Sequence, residues 1–308
     1  MYNEDRKKEF LSVSKRGYAY GESIFNSTKS AEIEADKDVC EMTLEELQPI
    51  VNERFGLRAR SNRNAILFLQ SYVQWCEENG YDTSKDVYVL KISTEEKIRK
   101  EMVGSPKHLE SVLDQAFDKV SELTVDCLSR AFLWFAFSGL SEEEAINLRV
   151  QDINFKTMTI DVGGQSFEIY RESLSALQEV CNSTVFRYYN RNYAKELQGQ
   201  YRKRHESDWV FRSIRSAHMS LSSVKTSIFR KLQESNVEIH YSSVRLSGLF
   251  YRTYEMERIG IEPNFDSYVM EQASKKDRGM KPPMLASRFY DNRKYLIIDY
   301  QNWKKIFT

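Results

Sequence analysis

The sequence predicts a mainly helical protein of two domains with one small β-hairpin. The 308 residues include only 12 glycines and 5 prolines, and apolar positions recur at helical spacing along most of the chain. The segments TMTIDV and SFEIY flank Gly163-Gly164, a pattern typical of a hairpin. Hydrophobic residues make up 41% and charged residues 29%, as in a globular protein.

The first domain is expected to span residues 1–100. Residues 1–30 are polar and mixed, which predicts a short helix and a loose arm. Thr43 and Glu46 have the spacing of a capping box, so a helix is expected to begin there and to end near Gly56.

The next helix of this domain carries the apolar stripe of the segment AILFLQSYVQWC. Ser61 or Asn62 is expected to cap this helix, and Gly80 is expected to close it.

The second domain is expected to span residues 101–308 and to begin with Ser105 as the cap of a helix whose first residue is Pro106. Its further elements are an apolar helix, a short acidic helix and the two hairpin strands, expected at residues 123–137, 142–148, 157–162 and 166–170.

Charge and composition exclude several classes of protein. Lys plus Arg and Asp plus Glu both number 45, so a histone-like binder that acts through net charge is not expected, although a local basic face remains open. The sequence has no stretch of about 18 apolar residues, so no membrane helix is predicted, and we expect a cytoplasmic protein. No metal or cofactor is predicted, because neither the four cysteines nor the four histidines have ligand spacing.

Three stretches, taken in order, resemble the tyrosine recombinase (phage integrase) family. They are SGLSEEEAINLRVQDINFKTMTIDV, DWVFRS, and LSSVKTSIFRKLQESNVEIHYSSVRLSGLFYRTYEMERIGI. The resemblance implies a catalytic-domain fold of this family preceded by a SAM-like helical core-binding domain. It also implies chemistry in which a tyrosine attacks a DNA phosphodiester that two arginines hold, since the planar guanidinium engages two phosphate oxygens.

The family's motif maps incompletely onto this sequence. The first arginine position is Ser141, whereas its acidic neighbour is kept as Glu144. The hairpin lacks the expected lysine, for which Lys156 is a displaced substitute, and the second arginine is kept as Arg245.

The remaining positions of the motif also depart from the family. Its two histidine positions fall on Ser242 and Leu246, and the later His or Trp position falls near Gln272. Tyr290 is the candidate nucleophile, with Tyr295 and Tyr300 as alternatives. Loss of one oxyanion-type donor costs about 2.7–4 kcal/mol of transition-state stabilisation, so we expect a recombinase fold without strand cleavage.

Several polar residues are candidates for DNA contact because they lie at predicted helix starts or beside the retained arginine. They are Arg58, Arg60, Arg63, Ser222, Lys225, Ser243 and Arg245. The alternative for Arg245 is a structural ion pair, and for the first three arginines a solvated surface. The basic segments YRKRH and KKDRGMK are interpreted as ordinary exposed loops.

The leading hypothesis is a sequence-specific binder of double-stranded DNA in a bacterial host, associated with the nucleoid. It would act as a transcriptional repressor of a phage or mobile element, similar in kind to integrase-fold phage repressors. One alternative is a divergent active integrase that uses Arg245, Lys156 and Tyr290. Another is an accessory protein that binds a partner through the C-terminal segment YLIIDYQNWKKIF, which also suggests a homo-oligomer.

Overall fold

The computed structural model describes residues 1–14, 17–55, 57–119, 122–188, 200–271 and 282–308, with backbone alone at 54, 270, 271 and 282–289. The chain divides into two compact units. The first comprises Met1–Lys97 and Asn264–Asn302, and the second comprises Ile98–Pro263 and Trp303–Thr308. Residues 264–302, which the sequence analysis places in the second domain, therefore group with the first unit.

Helices dominate both units. In chain order, α1 to α13 of the described residues span Glu4–Val13, Tyr18–Ala35, Leu44–Arg54, Ala59–Glu78, Glu95–Glu101, Pro106–Ala116, Val125–Ser138, Glu142–Ile146, Leu174–Asn182, Leu221–Glu234, Tyr241–Arg258, Phe265–Glu271 and Pro282–Phe307. Short 3-10 turns lie at Lys85–Tyr88, Val150–Asp152 and Arg171–Ser173.

The strands form two small antiparallel sheets in the second unit. Strands β1 to β5 span Ile153–Asn154, Thr159–Val162, Gln165–Glu168, Val185–Arg187 and Tyr201–Lys203, and they pair as β1-β2-β3 and β4-β5. The predicted hairpin is confirmed as β2-β3. Gly163 and Gly164 both have positive φ, which a two-residue turn of this kind requires.

The N-terminal residues are not the loose arm that their polarity predicts. Helices α1 and α2 pack into the core of the first unit through apolar side chains such as Phe10 and Phe25. Lys7 and Glu32 are also fully buried, where they form an ion pair, and Thr28 donates a 3.0 Å hydrogen bond to the same carboxylate. In the sequence, the charged residues of a buried ion pair look the same as those of a solvated surface. This is why the polarity of residues 1–30 suggested a loose arm.

The start of α4 also differs from the expectation. The helix begins at Ala59 and is capped neither by Ser61 nor by Asn62. Instead, the Oδ1 atom of Asp299 on α13 accepts the backbone N–H of Ala59 at 2.8 Å. A carboxylate far away in the sequence thus satisfies a free N–H group of the first turn.

Helix α7 is the centre of the second unit, because its residues from Asp126 to Ser138 are buried on every side. Helix α11 packs against it at very short range. A Cβ atom at Gly248 would lie 1.9 Å from the carbonyl oxygen of Phe137, so only glycine permits this approach. The close contact fixes the position of the α11 side chains relative to the end of α7.

Candidate nucleic-acid interface

The turn after α7 contains Ser141, the residue at the family's first arginine position. Gly139 ends the helix with a φ of 119°, a conformation that favours glycine. Ser141 then caps α8: its Oγ accepts the N–H of Glu144 at 3.2 Å, and the Glu144 carboxylate accepts the N–H of Ser141 at 2.7 Å. This capping box confirms the predicted helix start. The serine therefore has a structural task at the place where an arginine would hold phosphate.

The retained arginine lies beside this turn. The Nε atom of Arg245 donates a 2.7 Å hydrogen bond to the carbonyl oxygen of Gly139. The Tyr241 hydroxyl, one turn earlier on α11, donates to the carbonyl oxygen of Leu140 at 3.0 Å. Among the described residues, the terminal nitrogens of the half-buried Arg245 make no hydrogen bond. The arginine is thus fixed by one nitrogen and retains donors for a ligand.

Burial determines the chemistry of the residues around Arg245. Burial raises the pKa of the Tyr241 hydroxyl well above its ordinary value, so this group remains a neutral donor. Arg252, two turns further along α11, donates a 2.7 Å hydrogen bond to the carbonyl oxygen of Phe137. Two arginines of α11 therefore bind main-chain oxygens at the end of α7.

The two histidine positions of the motif differ in their exposure to solvent. Ser242 is exposed in the first turn of α11, whereas Leu246 is only 6% exposed and belongs to the core. Neither side chain can donate a proton as histidine does. The later position near Gln272 lies outside the described residues.

Ser243 differs from the other DNA-contact candidates because it is buried. Its hydroxyl accepts the N–H of His240 at 2.9 Å and donates to the carbonyl oxygen of the same residue. The side chain is therefore committed to the start of α11, and we withdraw Ser243 from the candidate set.

Helix α10 presents two of the candidates to solvent. Ser222 and Lys225 are exposed near its N-terminus, which Ser220 caps. The Nζ atom of Lys225 lies 2.9 Å from Oε2 of Glu142 at the start of α8. Exposed pairs of this kind contribute little to stability, so the lysine can exchange its partner. Lys156, the displaced hairpin candidate, is also exposed, in the loop between β1 and β2.

The three arginines of the first unit are engaged by α13. Asp299 accepts a 2.7 Å hydrogen bond from the Nε atom of Arg58. The Arg60 guanidinium donates to Asn292, and that of Arg63 donates to the hydroxyl of Tyr295. Each of the three arginines therefore contacts α13, while Arg63 is exposed and Arg58 and Arg60 are half-buried.

The candidate nucleophiles differ in exposure. Tyr290 is 67% exposed on α13, whereas Tyr295 and Tyr300 are buried. The Tyr295 hydroxyl binds Arg63, and the Tyr300 ring packs on Phe265. Of the three tyrosines, only Tyr290 is presented to solvent.

The predicted loop YRKRH contains a residue with a different role. Arg204 is 3% exposed, and its guanidinium donates to the carbonyl oxygens of Val180, Ser183, Val210 and Arg212 at 2.9–3.2 Å. Burial lowers its pKa to about 10, which still leaves it charged at neutral pH. The interpretation as an ordinary exposed loop is wrong, because β5 and Arg204 are structural.

No helix in the described part of the chain is both long and apolar enough to cross a membrane. In the same part of the chain, no three His, Cys, Asp or Glu side chains group as metal ligands.

Together, these features define the class of the fold. The chain is mainly helical with a small antiparallel sheet, and its capped turn, hairpin and arginine-bearing helix follow in the order of the integrase motifs. Residues 1–78 match the family model described as "MrpR, N-terminal core-binding domain". The chain is therefore similar to the integrases in the order of these elements, and its residues 1–78 are similar to an N-terminal core-binding domain.

Three solved structures illustrate this likeness. One is the XerA recombinase, at 13% identity and a TM-score of 0.36 over 83% of this chain and 84% of that one. Another is a lambda integrase dimer bound to a core site, at 14% identity and a TM-score of 0.37 over 94% of each chain. The third is the Tn1549 transposon integrase with circular-intermediate DNA, at 15% identity and a TM-score of 0.38 over 88% and 91%. No curated protein matches the chain.

Proposed function

We propose that this protein binds double-stranded DNA sequence-specifically without cutting it, as a transcriptional repressor of a phage or other mobile element. The observation that carries the proposal is the commitment of Ser141 to a helix cap at the phosphate-clamp position. The core position of Leu246 removes a second catalytic group. Without both groups, the chain lacks the charge stabilisation and proton transfer that phosphodiester cleavage needs.

Binding can persist where cleavage is lost, because phosphate contacts need only positioned donors. Arg245 supplies terminal guanidinium donors next to the turn at Gly139. Ser222 and Lys225 add exposed donors on α10. With a net charge of zero, the protein would rely on such local groups rather than on overall attraction.

An active but divergent integrase is the second candidate function. One observation favours it: Tyr290 is 67% exposed, and Glu144 and Arg245 are both kept. The exposed Lys156 would then serve as the hairpin lysine. The two functions differ in the DNA that they select and in whether a covalent intermediate forms.

Selection of bound fragments from a phage genome tests the proposal. The full-length protein is incubated with sheared genomic DNA at moderate salt, and the retained fragments are sequenced. Repeats next to promoters are the result expected of a repressor, whereas a single attachment site would overturn this proposal in favour of an integrase. Failure to retain any DNA even at low salt would leave only the accessory role, because electrostatic binding is strongest there.

A further inference from the structure

Helix α13 pairs with the arginines that the first unit would offer to DNA. Its residues at intervals of three or four face α4, where Arg58, Arg60 and Arg63 lie. Each arginine has a different acceptor on α13. The pairing is therefore spread over about two helical turns and is not one isolated contact.

The Asp299 carboxylate is bound by the same kinds of donor that bind phosphate. Its Oδ2 atom accepts from Nε of Arg58 at 2.7 Å, and its Oδ1 atom accepts the backbone N–H of Ala59 at 2.8 Å. A guanidinium and a free N–H at the start of a 20-residue helix are the donors that bind phosphate oxygens. The carboxylate thus occupies donors that a DNA backbone would use.

Helix α13 also supplies acceptors to Arg60 and Arg63. The Oδ2 atom of Asp291 lies 3.8 Å from Nη2 of Arg60, and the Nη1 atom of the same arginine donates to Asn292. Tyr295 supplies a neutral hydroxyl oxygen to Arg63. Two of these acceptors, Asn292 and Tyr295, are neutral, and an anionic phosphodiester oxygen would form stronger hydrogen bonds with the same guanidinium groups.

Burial of the Asp299 carboxylate opposes its pairing with Arg58. Asp299 is 5% exposed, and desolvation raises its pKa above the ordinary carboxyl range despite the partners that oppose this. Removing a carboxylate from water offsets much of the attraction in a buried pair. A phosphate that remains partly in water can therefore compete for the same guanidinium.

We propose that the 290–302 part of α13 is an intramolecular competitor for the arginine face formed by Arg58, Arg60 and Arg63. This inference rests on the proposed DNA-binding function and concerns the regulation of that function. While the helix is docked, its acceptors occupy donors of this face, and displacement of the helix frees these donors for a nucleic-acid backbone. The affinity of the chain for DNA accordingly depends on the stability of the ion pair between Arg58 and Asp299.

The test compares two variants that each remove one negative charge from the first unit. Asp299→Asn weakens the competitor, and Asp266→Asn removes an exposed carboxylate that pairs with Arg293 rather than with one of the three arginines. Binding to a random-sequence duplex is measured by fluorescence anisotropy over a salt series. We expect Asp299→Asn to bind about fivefold more tightly at low salt and to steepen the log–log salt slope by about one, as for one added phosphate contact. Equal affinities for the two variants would overturn the inference.

Further variants protect this test against misfolding and against confusion with the proposed function. Tyr295→Phe removes only the hydroxyl that binds Arg63 and is expected to strengthen binding to a smaller degree. If Asp299→Asn unfolds, as its thermal melt would reveal, an unchanged affinity for Tyr295→Phe contradicts the inference. Adding Arg58→Ala to Asp299→Asn should cancel the gain. Wild-type protein that binds no duplex refutes the proposed function, whereas wild-type binding without any gain in the variants refutes only the competitor.

Discussion

The Nε atom of Arg245 donates a 2.7 Å hydrogen bond to the carbonyl oxygen of Gly139. This bond ties the retained arginine of the integrase motif to the turn that lacks its partner. Two residues later, Ser141 closes a capping box instead of presenting a guanidinium. A capped turn therefore stands where the family's motif has an arginine.

Replacing Ser141 by alanine should destabilise the second unit by about 1 kcal/mol, the usual effect of losing an N-cap. The Glu144 N–H loses its acceptor, and the reciprocal bond to the Ser141 N–H is weakened. Urea denaturation followed by circular dichroism measures the change. Ser242→Ala is the matched control, because this serine is exposed in the first turn of α11. Equal effects of the two substitutions would refute the capping role.

Replacing Arg204 by lysine should destabilise the protein by about 3 kcal/mol or more, since an ammonium cannot reach all of the carbonyl oxygens that the buried fork satisfies. Arg204 donates to four different main-chain oxygens. Arg202→Lys changes an exposed arginine two residues earlier, in β5, and should have almost no effect. The comparison uses thermal melts of both variants, and a stable Arg204→Lys protein would contradict the structural role.

Removing the guanidinium of Arg245 should weaken DNA binding about tenfold and lower the salt slope by about one, as expected for a phosphate contact. Arg245→Ala is compared with Arg258→Ala, which removes the same charge from an exposed position on the same helix. Anisotropy titrations over a salt series give both quantities. Equal losses in the two variants would show that only net charge matters.

Acid should destabilise the second unit through His108. Burial lowers the pKa of this histidine below its ordinary value of 6.5, and its Nδ1 atom accepts the N–H of Gly104 at 3.1 Å. In the window between the lowered pKa and 6.5, the unfolded chain binds the proton that the folded chain excludes. Stability contributed by the neutral ring is therefore present above this window and lost as the pH falls through it.

Urea midpoints between about pH 7.5 and pH 5.5 measure this effect. His108→Asn keeps an acceptor for Gly104 but cannot titrate, so its stability should fall less on acidification than that of the wild type. His205→Asn makes the same substitution at an exposed histidine and is the matched control. A His108→Asn profile parallel to that of the wild type would be inconsistent with the account.

The sequence predicts those parts of the fold that depend on neighbouring residues. The capping boxes at Thr43 and Ser141, the helix start at Ser105 and the glycine turn of the hairpin are confirmed because each signal lies within a few residues. The class of fold also follows from the order of the motifs.

Other features depend on partners that are far apart in the chain. The cap of α4 comes from Asp299, and the contacts of Arg204 are main-chain oxygens that any residue could supply. Neither has a local pattern. The buried pair of Lys7 and Glu32 resembles a solvated surface in the sequence, so the packing of α1 and α2 was not predictable either.

The most direct test of binding without cutting is a trapping experiment on a nicked duplex that contains the selected DNA target. An attacking tyrosine would release a short fragment from this substrate and remain covalently attached to the DNA. The account predicts a shifted complex in a native gel and no adduct in a denaturing gel, for the wild type and for Tyr290→Phe alike. A covalent adduct that the wild type forms and Tyr290→Phe does not would contradict it.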